Sequence, residues 1–321
     1  MIGRYPFLFA ALGFSLPVLS HHSDAIYDRE SIVAGEGVVT QYVFRNPHVL
    51  IGVEIENESG EVAEWLVETG STPIMRRSGW TEDLISVGDT IRVRLHPEKS
   101  GRAHGILNTM ELESGEMFHQ VEGPAEETVA AESLTGVWRG AGSVFGLARN
   151  IVPNAAGEAA AAAYTGPNPE LECDPLPAPY SIGSGNYLTG IELLEDRVIL
   201  RNEFLDSNRT VWMDGRDHPE DGEYTIQGHS IGRWEGETLV VDTRYFEENE
   251  RGNSRGAGIP SSREKHVVLR YTLSDDRRRA IVEFFVEDPV YLAEPWEGQM
   301  ELVYSPHLQL YDYNCIPGTL G

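Results

Sequence analysis

From residue 187 onward, the chain is a series of short runs of apolar or alternating side chains, each the length of one β-strand. Turn residues such as Glu195-Asp196 and Glu235-Gly236 separate the runs, which is typical of antiparallel hairpins. The pattern predicts an all-β domain, either a larger antiparallel lipocalin-like barrel or a curved sheet, with a β-sandwich as the alternative. The predicted strands are 191–194, 198–204, 209–213, 229–234, 238–246, 265–273, 280–286 and 299–304.

The chain before residue 122 shows the same strand patterns around one short helix. Thr72 is the predicted N-cap of this helix, Pro73 suits its first turn, and Gly79 is the expected stop. Three strands precede the helix and two follow it, which is the order of a small OB-like barrel. The predicted strands are 37–44, 49–56, 62–69, 90–96 and 104–112.

Residues 1–20 have the features of a secretory signal peptide. Arg4 supplies the positive charge, an apolar run follows, and Val18 and Ser20 suit the positions that signal peptidase reads. The apolar run is shorter than a membrane span, so we expect cleavage after Ser20, export to the periplasm or beyond, and no transmembrane segment. A retained N-terminal anchor is the alternative.

Three segments remain after the leader: an OB-like β-domain at 21–121, an acidic linker at 122–133, and the larger β-domain at 134–321. The formal net charge of the whole chain is −26. Residues 21–121 alone hold 17 acidic and 8 basic side chains. Because such an excess of acid repels phosphate backbones, nucleic acid is not expected as a partner, although OB folds often bind it.

Cys173 and Cys315 are the only cysteines. An even number of cysteines in an exported protein predicts a disulfide, which here would join the C-terminal tail to the start of the second domain. A pair of thiol metal ligands or a redox pair is the alternative.

A group of polar residues within the second domain forms a candidate catalytic site at strand ends and turns, where function tends to collect. A histidine beside carboxylates can act as a general base, and an arginine can hold an anionic group. Turn chemistry and hairpin ion pairs explain the same residues without catalysis, and no Gly-rich phosphate loop or HExxH motif is present. The candidates are Asp214, Arg216, Asp217, His218, His229, Arg233, Glu235 and Asp242.

Aromatic residues of the second domain can line a pocket at the mouth of the barrel, or they can fill its core. The leading hypothesis is a periplasmic binding or accessory protein that holds a small, partly apolar ligand there. The alternative is a periplasmic hydrolase, lyase or isomerase that works through His218 or His229. The aromatic candidates are Tyr187, Trp212, Trp234, Tyr245, Phe285 and Trp296.

Cleavage after Ser20 would give His21 a free α-amine beside its own imidazole. His22 and His48 could complete a nitrogen-rich site, which among common divalent metals suits Cu(II). Copper binding is therefore a second alternative function, and an N-terminal His pair that merely frays in solvent is the competing explanation.

Two blocks of the sequence resemble uncharacterised exported bacterial proteins, and the resemblance implies an exported β-protein without an assigned activity. The first block comprises His21-His22-Ser23, Tyr27-Asp28, Gly37–Val39, Asn46-Pro47-His48, Trp65, Glu68, Gly79-Trp80 and Gly88-Asp89. The second comprises Arg209, Met213–Arg216, His218-Pro219, Gly228–Thr243, His266-Val267, Arg270-Tyr271, Glu287–Pro289 and Pro295-Trp296.

Overall fold

The computed structural model describes residues 26–56, 60–120, 129–142, 144–165, 173–183, 185–254 and 256–316. Residues 33–119 form a small β-barrel. Its elements are β1 (Val33–Val43), β2 (Leu50–Glu56), β3 (Val62–Glu68), α1 (Thr72–Arg77), β4 (Thr90–Pro97), β5 (His104–Leu112) and β6 (Met117–His119). Five antiparallel pairings give the order β3-β2-β1-β4-β5-β6, and a parallel pairing of β3 with β5 closes the first five strands. The predicted OB-like barrel is confirmed.

The N-cap of helix α1 lies one residue before the predicted one, Thr72. Ser71 is the N-cap residue and makes no side-chain capping bond, while Pro73 lies in the first turn as expected. The side-chain oxygen of Asn46 accepts a hydrogen bond of 2.8 Å from the backbone N–H of Thr72. The helix N-terminus is therefore satisfied from a distant loop, so the local sequence could not identify its cap.

Residues 136–304 form a closed barrel of nine strands, and short helices lie between some of these strands. Its barrel strands are β7 (Gly136–Gly140), β8 (Leu188–Leu193), β9 (Arg197–Asn202), β10 (Arg209–Trp212), β11 (His229–Glu235), β12 (Thr238–Arg244), β15 (His266–Leu273), β16 (Arg279–Glu287) and β17 (Trp296–Tyr304). Strands β13 (Asn249–Ser254) and β14 (Ile259–Ser261) form a separate hairpin. The helices are α2 (Val144–Leu147) and α3 (Ala155–Ala163), together with single 3-10 turns at Ala148–Asn150, Tyr180–Ile182 and Phe204–Asp206.

One strand pair departs from the antiparallel pattern expected for the larger barrel. Strands β10 and β11 run parallel, with Val211 paired to Ser230 and Trp212 to Ile231. Parallel neighbours need a crossover connection, and residues 213–228 supply it. A tight hairpin turn would have no such connection. The connection contains His218 and passes over the outer face of the barrel.

Apolar side chains form a continuous core inside the larger barrel. Inward-facing residues of neighbouring strands, such as Val241, Leu269 and Phe284, belong to one continuous buried cluster. Their neighbours in sequence face outward because side chains alternate along a strand. The outer face is therefore where most polar residues of these strands lie.

Covalent and polar contacts join the two barrels and the C-terminal tail. Cys173 and Cys315 form the predicted disulfide, which spans 142 residues of sequence. Asn46 of the small barrel donates a hydrogen bond to the Tyr313 carbonyl, and Arg77 forms a buried ion pair with Glu203 of the larger one. Among the described residues, no helix has both the length and the apolar character that crossing a bilayer requires.

Candidate functional site

A cleft of about 410 Å³ lies at one end of the larger barrel. The β11–β12 and β15–β16 turns, the end of β8 and the segment before β7 surround it, so it occupies the barrel mouth. Leu134, Leu193 and Leu273 supply its apolar lining beside Trp234. The side chain of Trp234 is unusual in this chain because the residue is 47% exposed, and a large exposed aromatic above apolar neighbours is typical of a binding surface.

The polar part of the cleft is mostly acidic. Glu132, Glu237 and Asp275 line it together with a single basic residue, Arg277. The guanidinium of Arg277 is already engaged, since its Nε donates to the Ala131 carbonyl at 2.8 Å. The cleft therefore suits a molecule that has an apolar body and a neutral or cationic polar group.

A second site, the histidine–aspartate cluster, lies on the outer face and consists of His218, His229, Asp242, His266 and Glu287. Strands β11, β12, β15 and β16 are neighbours, and their register pairs His266 with Glu287. Asp242 faces outward from β12, which lies between β11 and β15. The crossover connection brings His218 within hydrogen-bond distance of Asp242. Four strands and the crossover connection thus supply one cluster.

Hydrogen bonds connect the cluster from end to end. Asp242 Oδ1 lies 3.0 Å from His218 Nε2 and 3.0 Å from His266 Nε2. The Nδ1 atoms of His218 and His229 are 2.9 Å apart, and His266 Nδ1 is 3.1 Å from Glu287 Oε1. An ionised carboxylate only accepts hydrogen bonds, so both Nε2 atoms that face Asp242 carry protons.

The charge states within the cluster follow from burial and these bonds. Burial raises the pKa of Asp242, but hydrogen bonds from His266 and His218 outweigh it and lower the pKa to about 2. The hydrogen bond to Asp242 raises the pKa of His266. Burial, followed by the proximity of His218, lowers the pKa of His229. Asp242 is therefore an anion at neutral pH, and His229 is the neutral imidazole at the end of the chain of bonds.

Four of the other five predicted catalytic residues form ion pairs outside this cluster, and Arg216 also contributes to the lowered pKa of His229. Arg216 pairs with Asp214 and lies 4.1 Å above the ring of Trp212. Arg233 donates to Glu235, and Asp217 is exposed. Of the eight predicted residues, the structure brings His218, His229 and Asp242 together and leaves the other five outside the hydrogen-bonded cluster.

The predicted aromatic residues do not share one pocket. Trp234 lines the mouth cleft, whereas Trp296 is buried against Phe284 with ring centroids 4.8 Å apart. Tyr245 packs near His218 at 6.2 Å, and Phe285 lies on the outer face. Tyr187 stacks at 4.6 Å on Phe204. Only Trp234 of this set contributes to the mouth.

The small barrel has a polar cluster of its own at the end of β3. Glu68 accepts a hydrogen bond of 2.5 Å from the Tyr27 hydroxyl and pairs with His48 at 3.1 Å. His48 therefore contacts a carboxylate of its own barrel, while His21 and His22 lie outside the described residues. Within the described ranges, no three His, Cys, Asp or Glu side chains are arranged to hold a metal ion.

Sequence reasoning missed two members of the outer cluster, His266 and Glu287, and the leucines of the mouth. Both polar residues sit at strand ends, where the alternation of β15 and β16 places them on the solvent side. The alternation along β15 can be read from the sequence. It identifies His266 as a partner of Asp242 only when the pairing of β12 with β15 is known.

The first part of the chain is similar to a known protein family. Residues 10–108 match a family of unknown function, DUF6152. The matched segment covers most of the small barrel and none of the nine-stranded one. No curated protein matches the chain.

Proposed function

We propose that this is an exported binding or accessory protein whose larger barrel holds a small, partly apolar molecule at its mouth. The single observation that carries the proposal is the exposed Trp234 in a cleft with three leucines. The apolar core inside the barrel supports a site for this molecule at the mouth. The leader-like sequence at 1–20 and the disulfide support export.

Binding of Nile red, a neutral apolar dye, tests this proposal. We expect the mature protein to bind the dye with a fluorescence increase and Trp234→Ala to weaken binding at least about tenfold, because central aromatic residues dominate such sites. Trp212→Ala is the matched control, since Trp212 lies under Arg216 and outside the cleft. Equal affinities of the two variants would refute a site at the mouth.

A second candidate function is general acid–base catalysis at the histidine–aspartate cluster, and the continuous hydrogen bonds favour it. Because His218 Nε2–H donates to Asp242, the Nδ1 of neutral His218 accepts from His229 Nδ1–H. His229 Nε2 then holds a lone pair and can remove a proton from a substrate. The Nδ1 proton of His229 can pass to His218, whose imidazolium is stabilised by Asp242.

Hydrolysis of p-nitrophenyl acetate is a suitable assay for such a base. We expect His229→Ala to reduce the protein-catalysed rate by a factor on the order of 10². His307→Ala is the control, because His307 is an exposed histidine outside the cluster. If both variants hydrolyse the ester at the wild-type rate, the cluster has no role as a base in this reaction.

A further inference from the structure

Arg209 is a charged residue inside the larger barrel. It begins β10, where it pairs with Leu200 and shares the inward face with Val211. The residue is 5% exposed, and within the described part of the chain its Nε and Nη1 atoms are buried without a hydrogen-bond partner. A guanidinium has five N–H donors and cannot lose its charge in a protein, so deprotonation cannot relieve this burial.

The surroundings of Arg209 contain a second cation rather than a free carboxylate. Lys265 is 1% exposed, and its Nζ donates to the Gly252 carbonyl at 2.8 Å. Burial, opposed by Asp288 and assisted by the nearby charge of Arg209, lowers the pKa of Lys265 to about 7. The hydroxyl of Tyr271, a buried residue, is also close enough to Arg209 for their charges to interact.

Asp288 is the acid of this region, but its oxygens are already occupied. Oδ2 accepts from Asn253 Nδ2 and from the Ser262 N–H, each at 2.8 Å. Oδ1 accepts from the Ser262 hydroxyl at 2.7 Å. The carboxylate of Asp288 therefore holds the segment after β14 in place. The Nε and Nη1 atoms of Arg209 remain without an acceptor among the described residues.

We propose that Arg209 holds a small anion, a carboxylate or another oxyanion, inside the nine-stranded barrel. A buried cation is stable only when a counter-charge and hydrogen-bond acceptors reach it, and an oxyanion supplies both. This interior site is separate from the mouth cleft, whose lining includes neither Arg209 nor Tyr271.

The test uses the full mature chain, refolded from urea with its disulfide intact in a buffer of low anion content. Equilibrium dialysis against radiolabelled acetate and against inorganic phosphate measures binding directly. Thermal unfolding at constant ionic strength measures stabilisation. We expect one anion bound per chain and a rise in Tm of about 5 °C at saturation.

Arg209→Met should abolish both the binding and the rise in Tm, whereas Arg216→Met, which removes an exposed arginine, should preserve them. A decanoate arm distinguishes the source of the anion: stabilisation by acetate indicates a free small anion, and stabilisation by decanoate alone indicates the head group of an amphiphile. If Arg209→Met does not fold, dialysis of the wild-type protein decides. No retained anion and no rise in Tm, or equal binding by Arg209→Met, would overturn the proposal.

Discussion

Replacing Arg77 by methionine should destabilise the protein more than any single surface change. The side chains of Arg77 and Glu203 are 3% and 0% exposed, and Nη1 lies 2.7 Å from Oε1. At an effective dielectric constant of about 20, a contact of this length has a gross attraction of about 6 kcal/mol. Two backbone donors, the N–H groups of Leu188 and Tyr311, would still reach the orphaned carboxylate at 2.9 Å each.

Those two donors offset part of the loss, so we expect the free energy of unfolding at pH 7 to fall by about 3–5 kcal/mol. The loss should depend on pH. Burial raises the pKa of Glu203 even with Arg77 present, and removing the arginine removes the largest opposing effect. A carboxyl group with a raised folded-state pKa contributes stability below its unfolded pKa and loses it as pH rises through the folded value. The deficit of Arg77→Met should therefore shrink as pH falls toward 4, roughly the ordinary glutamate pKa.

Urea unfolding followed by tryptophan fluorescence measures this difference at several pH values. Arg76→Met is the matched control, because Arg76 lies on the same helix and pairs with Glu82 at the surface, where the side chains are 39% and 70% exposed. Such exposed pairs contribute about 0–1 kcal/mol. If Arg77→Met and Arg76→Met cost the same at pH 7, or if the cost of Arg77→Met does not change with pH, the reasoning about the buried pair is wrong.

Three further measurements address other parts of the chain. The double variant Cys173→Ser/Cys315→Ser should lose about 4–5 kcal/mol of unfolding free energy, since the bond closes a loop of 142 residues; an unchanged urea midpoint would contradict this. In Asp242→Asn, the pKa of His266 should fall, as followed by NMR titration, and the stability that this pair contributes below about pH 6.5 should disappear; an unchanged pKa would show that Asp242 is not its cause. A chain that begins at His21 should bind Cu(II) more tightly than one with an extra N-terminal residue, and equal isothermal titration curves would exclude the N-terminal chelate.

Features that follow from local chemistry could be predicted from the sequence, and features that depend on strand pairing could not. The small barrel follows from the order of its runs and from Pro73 and Gly79, which mark one helix between strands. The parallel contact of β10 with β11 has no local signal, because either orientation fits the same alternation. The link between Arg77 and Glu203 spans 126 residues and is likewise invisible to pattern reasoning.

In the histidine–aspartate cluster too, only the residues of one hairpin could be predicted to be neighbours. Asp242 and His229 were predictable neighbours, because the Glu235-Gly236 turn fixes the β11–β12 hairpin. His218 joins them only through the crossover connection, and His266 only through the register of β15. Residue type alone also pointed to Asp214, Arg216, Arg233 and Glu235, whose charges are satisfied by ion pairs with each other and, for Glu235, with Arg270 of β15.

The mouth cleft and the histidine–aspartate cluster lie too far apart for one small molecule to reach both. His229 and Trp234 are on the same strand, β11, separated by five residues, which is about 17 Å of extended chain. Side-chain alternation also places them on opposite faces of that strand, so the strand itself separates the two side chains. We therefore expect Trp234→Ala to hydrolyse p-nitrophenyl acetate at the wild-type rate and His229→Ala to bind Nile red with wild-type affinity. A variant that impaired both activities without loss of stability would mean that the mouth and the outer cluster form one site, contrary to the strand geometry.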